Sequence, residues 1–558
     1  MPKRTANTLL QLALLLAATL GQQVWHVSRA VLPAQDAVGF VSVAQRIDRE
    51  GVLPTVRAET VPPLFPAAVC AVHRTFTRVG LLGPNEWGRA AQLAATLPLV
   101  LAVVPAYLFA RRLVGADAAL CGTLLFISLP ETARLGADGI SDGLHLFFIA
   151  WALWAVAAAF DFASAERPAV PPMLAWWTAG GLTGLALLVR SEAVVIAATM
   201  TVVGCAASCR RGGFARRAFG ELPPLSTVSL PCFAGGALIA VLPYAAAGIV
   251  DPVQWLGRIR GGGAATEDAP INAAPATMKT LATPLTAGEV EASLGRKDPT
   301  RSIRFHGFFA AVGEFVAESA QASAYYFAPL AIFGLYGERK RLRTWAKLFP
   351  AVVIGVCLAA TFVVAWRGGY LSSRHLLLPL LAAMPWAGLG IIRLAAWLDV
   401  RLKHVERSPL RTAAIVAGAV SIVCFLSISR PAHTAQLAHR RAADWLSTAA
   451  AGPGAVLEQH GYTALVSGRT TYRFDASSQA LGDPDLTYVL LERADLEAES
   501  PRGEKLRALL GDASRAVAQF ADHRSQPERD VLVFARPAVA ATPNLLITAR
   551  PETSSYAR

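Results

Sequence analysis

Carboxylates and guanidinium groups stand together at four places in the sequence, each beside a long apolar run. Asp36, in Gln35-Asp36-Ala37-Val38-Gly39-Phe40, follows the first hydrophobic segment and precedes the rigid run Val61-Pro62-Pro63-Leu64-Phe65-Pro66. A second stretch runs from Pro130-Glu131-Thr132-Ala133-Arg134 through Asp138 to Ser141-Asp142, directly ahead of Leu144–Trp154. The third is Val189-Arg190-Ser191-Glu192, between two apolar segments, and the fourth is Ser372-Ser373-Arg374-His375, which opens Leu376–Pro385. A carboxylate can take a proton from an acceptor hydroxyl. Guanidinium groups can hold a phosphate bidentately and stabilise the charge that grows on it as it leaves. Beside an apolar groove that accepts a long tail, these groups suit transfer of a group from a lipid-linked phosphate. Taken singly, each charge also reads as one that snorkels or caps at the end of a span.

Whether the four places share one side of a membrane depends on the segments between them. The 558 residues are 54% hydrophobic and 16% charged, with a mean hydropathy of +0.42. Soluble domains carry about 25% charge, so the composition indicates a polytopic membrane protein. A span needs about 20 mostly apolar residues. Candidates lie at 9–31, 91–110, 117–130, 143–161, 174–189, 193–208, 227–249, 323–337, 347–366, 374–396 and 411–429, which predicts about 11 transmembrane helices. The first, after Met1-Pro2-Lys3-Arg4, resembles a signal peptide but is expected to stay as an uncleaved anchor.

Basic residues orient these spans. With a cytoplasmic N-terminus, one side gathers eighteen of them, including Arg111, Arg112, Arg210, Arg211, Arg339, Lys340, Arg401 and Lys403. The short connections on the other side hold only Arg134, Arg190, Arg367 and Arg374. Asp36, the 130–142 connection, the long loop 250–322 and the C-terminal tail then share the extracytoplasmic side. Arginine is largely excluded from that side, and plain snorkelling does not explain why it persists next to the carboxylates.

The expected organisation is a transmembrane part, 1–430, followed by an extracytoplasmic α/β domain, 431–558. Within the first part, 32–90 reads as two amphipathic helices lying on the outer surface. In the second, strands are expected at Ala455–Glu458, Ala464–Val466, Leu486–Leu491 and Asp530–Phe534, with a helix over 501–521. The formal net charge of +13 does not indicate nucleic acid, because residues 430–558 hold fifteen basic and fifteen acidic residues and the excess belongs to the membrane part. The seven cysteines form no CxxC or Cys/His spacing, which supports neither a disulfide framework nor a zinc site.

The Asp-x-x-x-aromatic segment ending in Pro-Pro-Leu-Phe-Pro resembles the first outer loop of integral-membrane glycosyltransferases of the GT-C class. Ser141-Asp142 before a Phe-rich span, Gly181-Leu182-x-x-Leu185-Ala186-Leu187-Leu188-Val189-Arg190, and Ser373-Arg374-His375-Leu376-Leu377-Leu378-Pro379-Leu380 are similar to later signatures of the branch with aminoarabinose transferases, protein O-mannosyltransferases and rhizobial lipopolysaccharide glycosyltransferases. The resemblance spans roughly residues 10–430. It implies that Asp36 is the catalytic base and that Arg190 and Arg374 bind the donor phosphate, with Arg304 and His306 as further phosphate ligands. Glu131, Arg134, Asp142 and His375 would line the site. The partners it implies are a polyprenyl-phosphate sugar donor, a lipid, glycan or protein acceptor, and membrane lipids. No cofactor is firmly implied, and a divalent metal is left open. The first loop often carries a second acidic residue close to the first; here the next are Asp48 and Glu50, which counts against a metal held by paired first-loop carboxylates. The alternative is a transporter or flippase for lipid-linked or anionic solutes, which calls for ionisable residues in mid-span and for internal repeats. The sequence has few of the first, and no repeat is apparent.

Overall fold

The computed structural model describes residues 2–59, 61–164, 172–208, 228–246, 308–339, 344–368, 371–401, 409–428, 432–448, 454–474, 477–497, 516–521, 529–535 and 547–548, with 504, 506, 507 and 510. Arg304 and His306, and with them most of the 250–322 loop, lie outside the described residues. The chain is an α-helical polytopic membrane protein. All eleven expected spans coincide with a helix, and their lengths differ informatively. Five are long and apolar enough to cross a bilayer alone, at Thr5–Arg29, Trp87–Val114, Asp142–Asp161, Trp345–Arg367 and Ser373–Arg401. A sixth arises if Ala116–Ile127 and Pro130–Asp138 count as one span bent by 57°. Large apolar side chains on the bundle exterior, such as Leu10, Leu101, Ile239 and Ile422, are more than half exposed, as a lipid-facing surface requires.

The helices are α1 (Pro2–Arg29), α2 (Gln35–Glu50), α3 (Val52–Ala58), α4 (Leu64–Arg78), α5 (Trp87–Val114), α6 (Ala116–Ile127), α7 (Pro130–Asp138), α8 (Asp142–Ser164), α9 (Pro172–Val189) and α10 (Val194–Ser208). They continue with α11 (Ser229–Ala246), α12 (Phe308–Ala322), α13 (Phe327–Glu338), α14 (Trp345–Gly368), α15 (Leu377–Arg401) and α16 (Pro409–Ile428). Helix α15 is clamped between two others through glycines. A Cβ on Gly388 would lie 1.9 Å from the Ala118 carbonyl of α6, and one on Gly390 would lie 2.0 Å from the Leu330 carbonyl of α13. Small residues are what let membrane helices approach this closely, since apolar burial drives little association in lipid.

The first connection holds three short helices, α2 to α4, rather than the two expected, because Gly51 (φ 90°) breaks the first amphipathic stretch. Val38, Val41, Ala44 and Ile47 of α2 are buried in a cluster with Phe65 and Val69 of α4 and Trp87 of α5, and Ala37 is buried against the main bundle core. Ion pairs brace its polar side: Arg46 meets Glu50 and Glu59, and Arg74 meets Asp48. These helices therefore pack on the bundle as a layer that fixes the start of α2.

The described C-terminal residues form helix α17 (Leu437–Thr448) and, among them, a mixed sheet of six strands, β1 (Ala455–Glu458), β2 (Thr471–Arg473), β3 (Leu486–Glu492), β4 (Ala516–Phe520), β5 (Val531–Ala535) and β6 (Ile547–Thr548). The order is β2-β1-β3-β5-β4-β6, with β1 parallel to β2 and β3, and β5 antiparallel to β3 and β4. Two expectations fail here. Ala464–Val466 is the end of helix α18 (Tyr462–Val466), not a strand: Gly461 turns the chain in the left-handed region (φ 76°), and the Glu458 carboxylate accepts the Thr463 N–H at 2.5 Å. Glu458 thus satisfies a helix-start donor that a strand would have spent on a neighbour. The helix over 501–521 does not extend to its end, because 516–520 pairs with β5 and buries Ala518 and Phe520. The sheet rests on the bundle through α18, whose Leu465 joins the cluster of Val38 and Trp87, and through His433, which meets Asp138 at 2.8 Å.

The glycine clamp gives a test. Gly388→Val should cost about 2 kcal/mol or more through overpacking, read as a lower unfolding midpoint in detergent, whereas Gly418→Val, where a Cβ meets nothing within 4 Å, should leave that midpoint nearly unchanged.

Candidate active site

Helix α9 ends at Val189, and the backbone turns extended at Arg190 (φ −154°, ψ 141°) before a 3-10 turn, Ser191–Ala193, starts α10. This corner puts Arg190 and Glu192 at one apex. The Arg190 guanidinium donates through Nη2 and Nε to Glu192 Oε1 (2.6 and 3.1 Å) and through Nη1 to Asp142 Oδ2 (2.8 Å). Burial acts to discharge Arg190, but the Asp142 and Glu192 charges outweigh it and hold the guanidinium more firmly protonated than usual. Asp142 is buried and opens α8, where a carboxylate also meets the positive end of the helix. Its position is fixed by Gly143, whose Cβ would lie 2.2 Å from the Ala95 carbonyl of α5, so only glycine fits there.

The second ion pair joins distant parts of the chain. Arg374 lies in a 3-10 turn, Ser373–Leu376, that begins just after Ser372 and leads into α15. Its Nη2 donates to Asp36 Oδ2 at 2.8 Å, across 338 residues of sequence. Asp36 sits in the first turn of α2 with its side chain 57% exposed. The Ser372 N–H donates to His375 Nδ1 at 3.3 Å, which leaves the ring proton on Nε2. Glu131 hydrogen-bonds Ser373 and so supports the turn from α7.

Between the two pairs is a small cavity open at its mouth. Asp142, Arg190, Glu192, Arg374, His145 and His375 form its polar wall, and Leu146, Leu377 and Leu378 its apolar one. Leu146 also borders a small, almost wholly apolar gap between α5, α6 and α8. The structure therefore gathers Arg190, Arg374, Asp142 and His375 around one cavity and brings Asp36 and Glu131 to its edge through Arg374 and Ser373. Arg134 is exposed on α7 and does not line the cavity. Glu192 and His145 are participants that sequence reasoning did not assign. The signal for Glu192 was its spacing of two from Arg190. That for His145 was its spacing of three from Asp142, which puts both on one helix face.

Of the described carboxylates in the first connection, Asp48 is engaged by Arg74, Glu50 and Glu59 by Arg46, and only Asp36 faces the cavity's arginines. Among the described residues, no three metal-ligating side chains converge at Asp36.

Neither a protein-family model nor a curated protein matches this sequence. Solved structures do. The structure of ArnT from Cupriavidus metallidurans bound to undecaprenyl phosphate aligns with 95% of this chain and 99% of its own, at a TM-score of 0.58 and 14% identity. The same protein in the apo state gives a TM-score of 0.57 at 13% identity. The Archaeoglobus fulgidus oligosaccharyltransferase AglB, in complex with an inhibitory peptide and a dolichol-phosphate, covers 88% of this chain and 70% of its own at 0.49 and 13%. The chain has the fold of the integral-membrane GT-C class. The particular fold it shares over nearly its whole length is that of ArnT, an aminoarabinose transferase.

The two ion pairs should respond differently to neutralisation. Asp142→Leu leaves a buried guanidinium half-paired and should lower stability by about 3 kcal/mol. Asp36→Asn breaks an exposed pair and should change it by less than about 1 kcal/mol. Thermal unfolding of both purified variants in detergent measures the contrast.

Proposed function

We propose that this protein is a membrane glycosyltransferase that moves a sugar from a polyprenyl-phosphate donor to an acceptor hydroxyl on the extracytoplasmic face. The observation that carries this reading is the Asp36–Arg374 pair at the edge of a cavity that also holds Arg190, within a fold shared with ArnT. The eighteen basic residues on the opposite side support a cytoplasmic N-terminus and an extracytoplasmic C-terminal sheet.

In this reading the donor phosphate enters between Arg374 and Arg190. The two arginines differ in what they give up. Arg190 is held from both sides by Asp142 and Glu192 and serves as a fixed positive centre. Arg374 has one exposed partner, an ion pair of a kind worth about 0–1 kcal/mol, and can turn to the phosphate, which frees Asp36 for the acceptor. The acceptor oxygen attacks the anomeric carbon with inversion as its proton passes to Asp36. The bond from that carbon to the phosphate oxygen breaks, and the added negative charge on the departing phosphate falls to the guanidinium groups. The apolar wall of Leu146, Leu377 and Leu378 beside the arginines supports a lipid-linked donor. His375, with its proton on Nε2, offers a further neutral donor to the phosphate. The acceptor class, whether lipid, glycan or protein, belongs to the same proposal as an open choice among hydroxyl-bearing molecules.

Incubation of the purified protein with a panel of polyprenyl-phosphate sugars, scored by mass spectrometry, should give transfer or slow donor hydrolysis with at least one donor. Asp36→Asn should reduce turnover by a factor on the order of 10³, within the range for loss of an acid–base group, with donor binding retained. Arg374→Ala and Arg190→Ala should weaken donor binding. No turnover with any donor, together with donor movement across vesicle membranes, would favour the transport alternative.

A further inference from the structure

A group of side chains away from the cavity is built like a metal centre. His439 comes from the start of α17, His460 from the turn just past β1, and Glu492 is the last residue of β3. Strands β1 and β3 are parallel neighbours, so His460 and Glu492 stand at the carboxyl ends of adjacent strands, the edge at which open α/β sheets usually bind ligands. His439 Nε2 lies 3.0 Å and His460 Nε2 3.2 Å from the same oxygen, Glu492 Oε1. The three ligand atoms all lie within 4.8 Å of one another. A tetrahedral zinc with bonds of about 2.0–2.1 Å sets its ligand atoms roughly 3.3 Å apart, close to the two separations observed. The imidazole rings meet edge to face at 86°, so both can direct a lone pair at one point without clashing.

A second observation points to a ligand. In the neutral rings, with both Nε2 atoms donating to one carboxylate oxygen, each Nδ1 is an acceptor, and both Nδ1 atoms are buried without a hydrogen-bond partner. The same region holds other buried polar atoms without a partner, among them Gln459 Oε1 and Gln436 Oε1. Glu458 is only 1% exposed, and Gln436 reaches the Tyr462 hydroxyl, whose ring stands 5.5 Å from both imidazoles. Binding a cation through both Nε2 atoms moves each ring proton to Nδ1 and turns both into donors, as metal-bound histidines ordinarily are.

We propose that His439, His460 and Glu492 form a zinc site at the sheet edge that faces the bundle. Two imidazoles and a carboxylate suit zinc rather than magnesium or calcium, which prefer all-oxygen shells. The site has a structural consequence. His460 is followed by Gly461, where a Cβ would lie 2.6 Å from Val38, and by α18, whose Leu465 packs with Val38 and Trp87. Fixing His460 therefore fixes the turn that presses on α2 two residues from Asp36. This inference is independent of the proposed sugar transfer, and its readout involves no turnover.

The test uses the full-length protein, purified in detergent, stripped with a chelator, incubated with zinc sulfate and desalted. One zinc per chain should be retained by elemental analysis, with X-ray absorption giving imidazole and oxygen ligands at about 2.0–2.1 Å. Glu492→Gln, which keeps an oxygen to accept from both rings, and His460→Gln should each lose the zinc while keeping the helical circular dichroism of the parent. Zinc should raise the Tm of the parent and of neither variant, and Asp36→Asn should retain zinc in full. A parent that retains no zinc, or variants that retain as much as the parent, would overturn the site. Loss of zinc in Asp36→Asn but not in Glu492→Gln would overturn it equally.

Discussion

A guanidinium at the meeting of two apolar helices must carry its counter-charges with it, and Arg190 does so. Desolvating a charge without a partner costs several kcal/mol, so the chain around Arg190 is shaped to supply two carboxylates. The extended residue between α9 and α10 brings Glu192 back onto it, and the start of α8 delivers Asp142. The glycine after Asp142 lets α8 settle on the backbone of α5 at the depth this needs. The same rule governs the buried carboxylate of Glu338, which meets Lys347 at 2.9 Å and Arg393 at 3.0 Å. What sets the cavity apart is its uneven pairing. One guanidinium is saturated and half-buried, while the other shares a single exposed contact with a carboxylate.

Much of this was legible in the sequence because membrane solvation leaves a coarse and honest trace. Apolar runs marked the helices, and the four charged stretches lay at their ends, where the structure finds them. The proximity of Asp36 and Arg374 was beyond any local pattern, since it depends on how α2, α7 and α15 pack. The family resemblance supplied it instead. Arg134 shows the limit of reasoning by neighbourhood. It shares the short helix α7 with Glu131, one turn away, yet its side chain is exposed while Glu131 reaches Ser373.

The C-terminal region was less legible. Strand alternation located β1, β3 and β5, which are buried and strongly apolar. The stretch ending at Phe520 mixes charge and small residues in a way that suits a helix, and it is a strand because β5 offers it a free edge. The histidine cluster escaped the search for metal spacing altogether. Its ligands come from a helix, a turn and a strand end, and parallel sheets routinely assemble such sites from residues far apart in sequence.

The long reach of the Asp36–Arg374 contact also bears on how the protein is made. A ribosome adding about 5–20 residues per second needs on the order of 20–70 s to travel the 338 residues between them. Helix α2 leaves the insertion machinery with its carboxylate and a stripe of buried apolar residues already formed, yet without the partners that will cover them. The last of these, Leu465 in α18, is synthesised later still. Assembly is thus ordered from both ends of the chain. The buried face of α2 is covered in full only when α18, far downstream, packs against it.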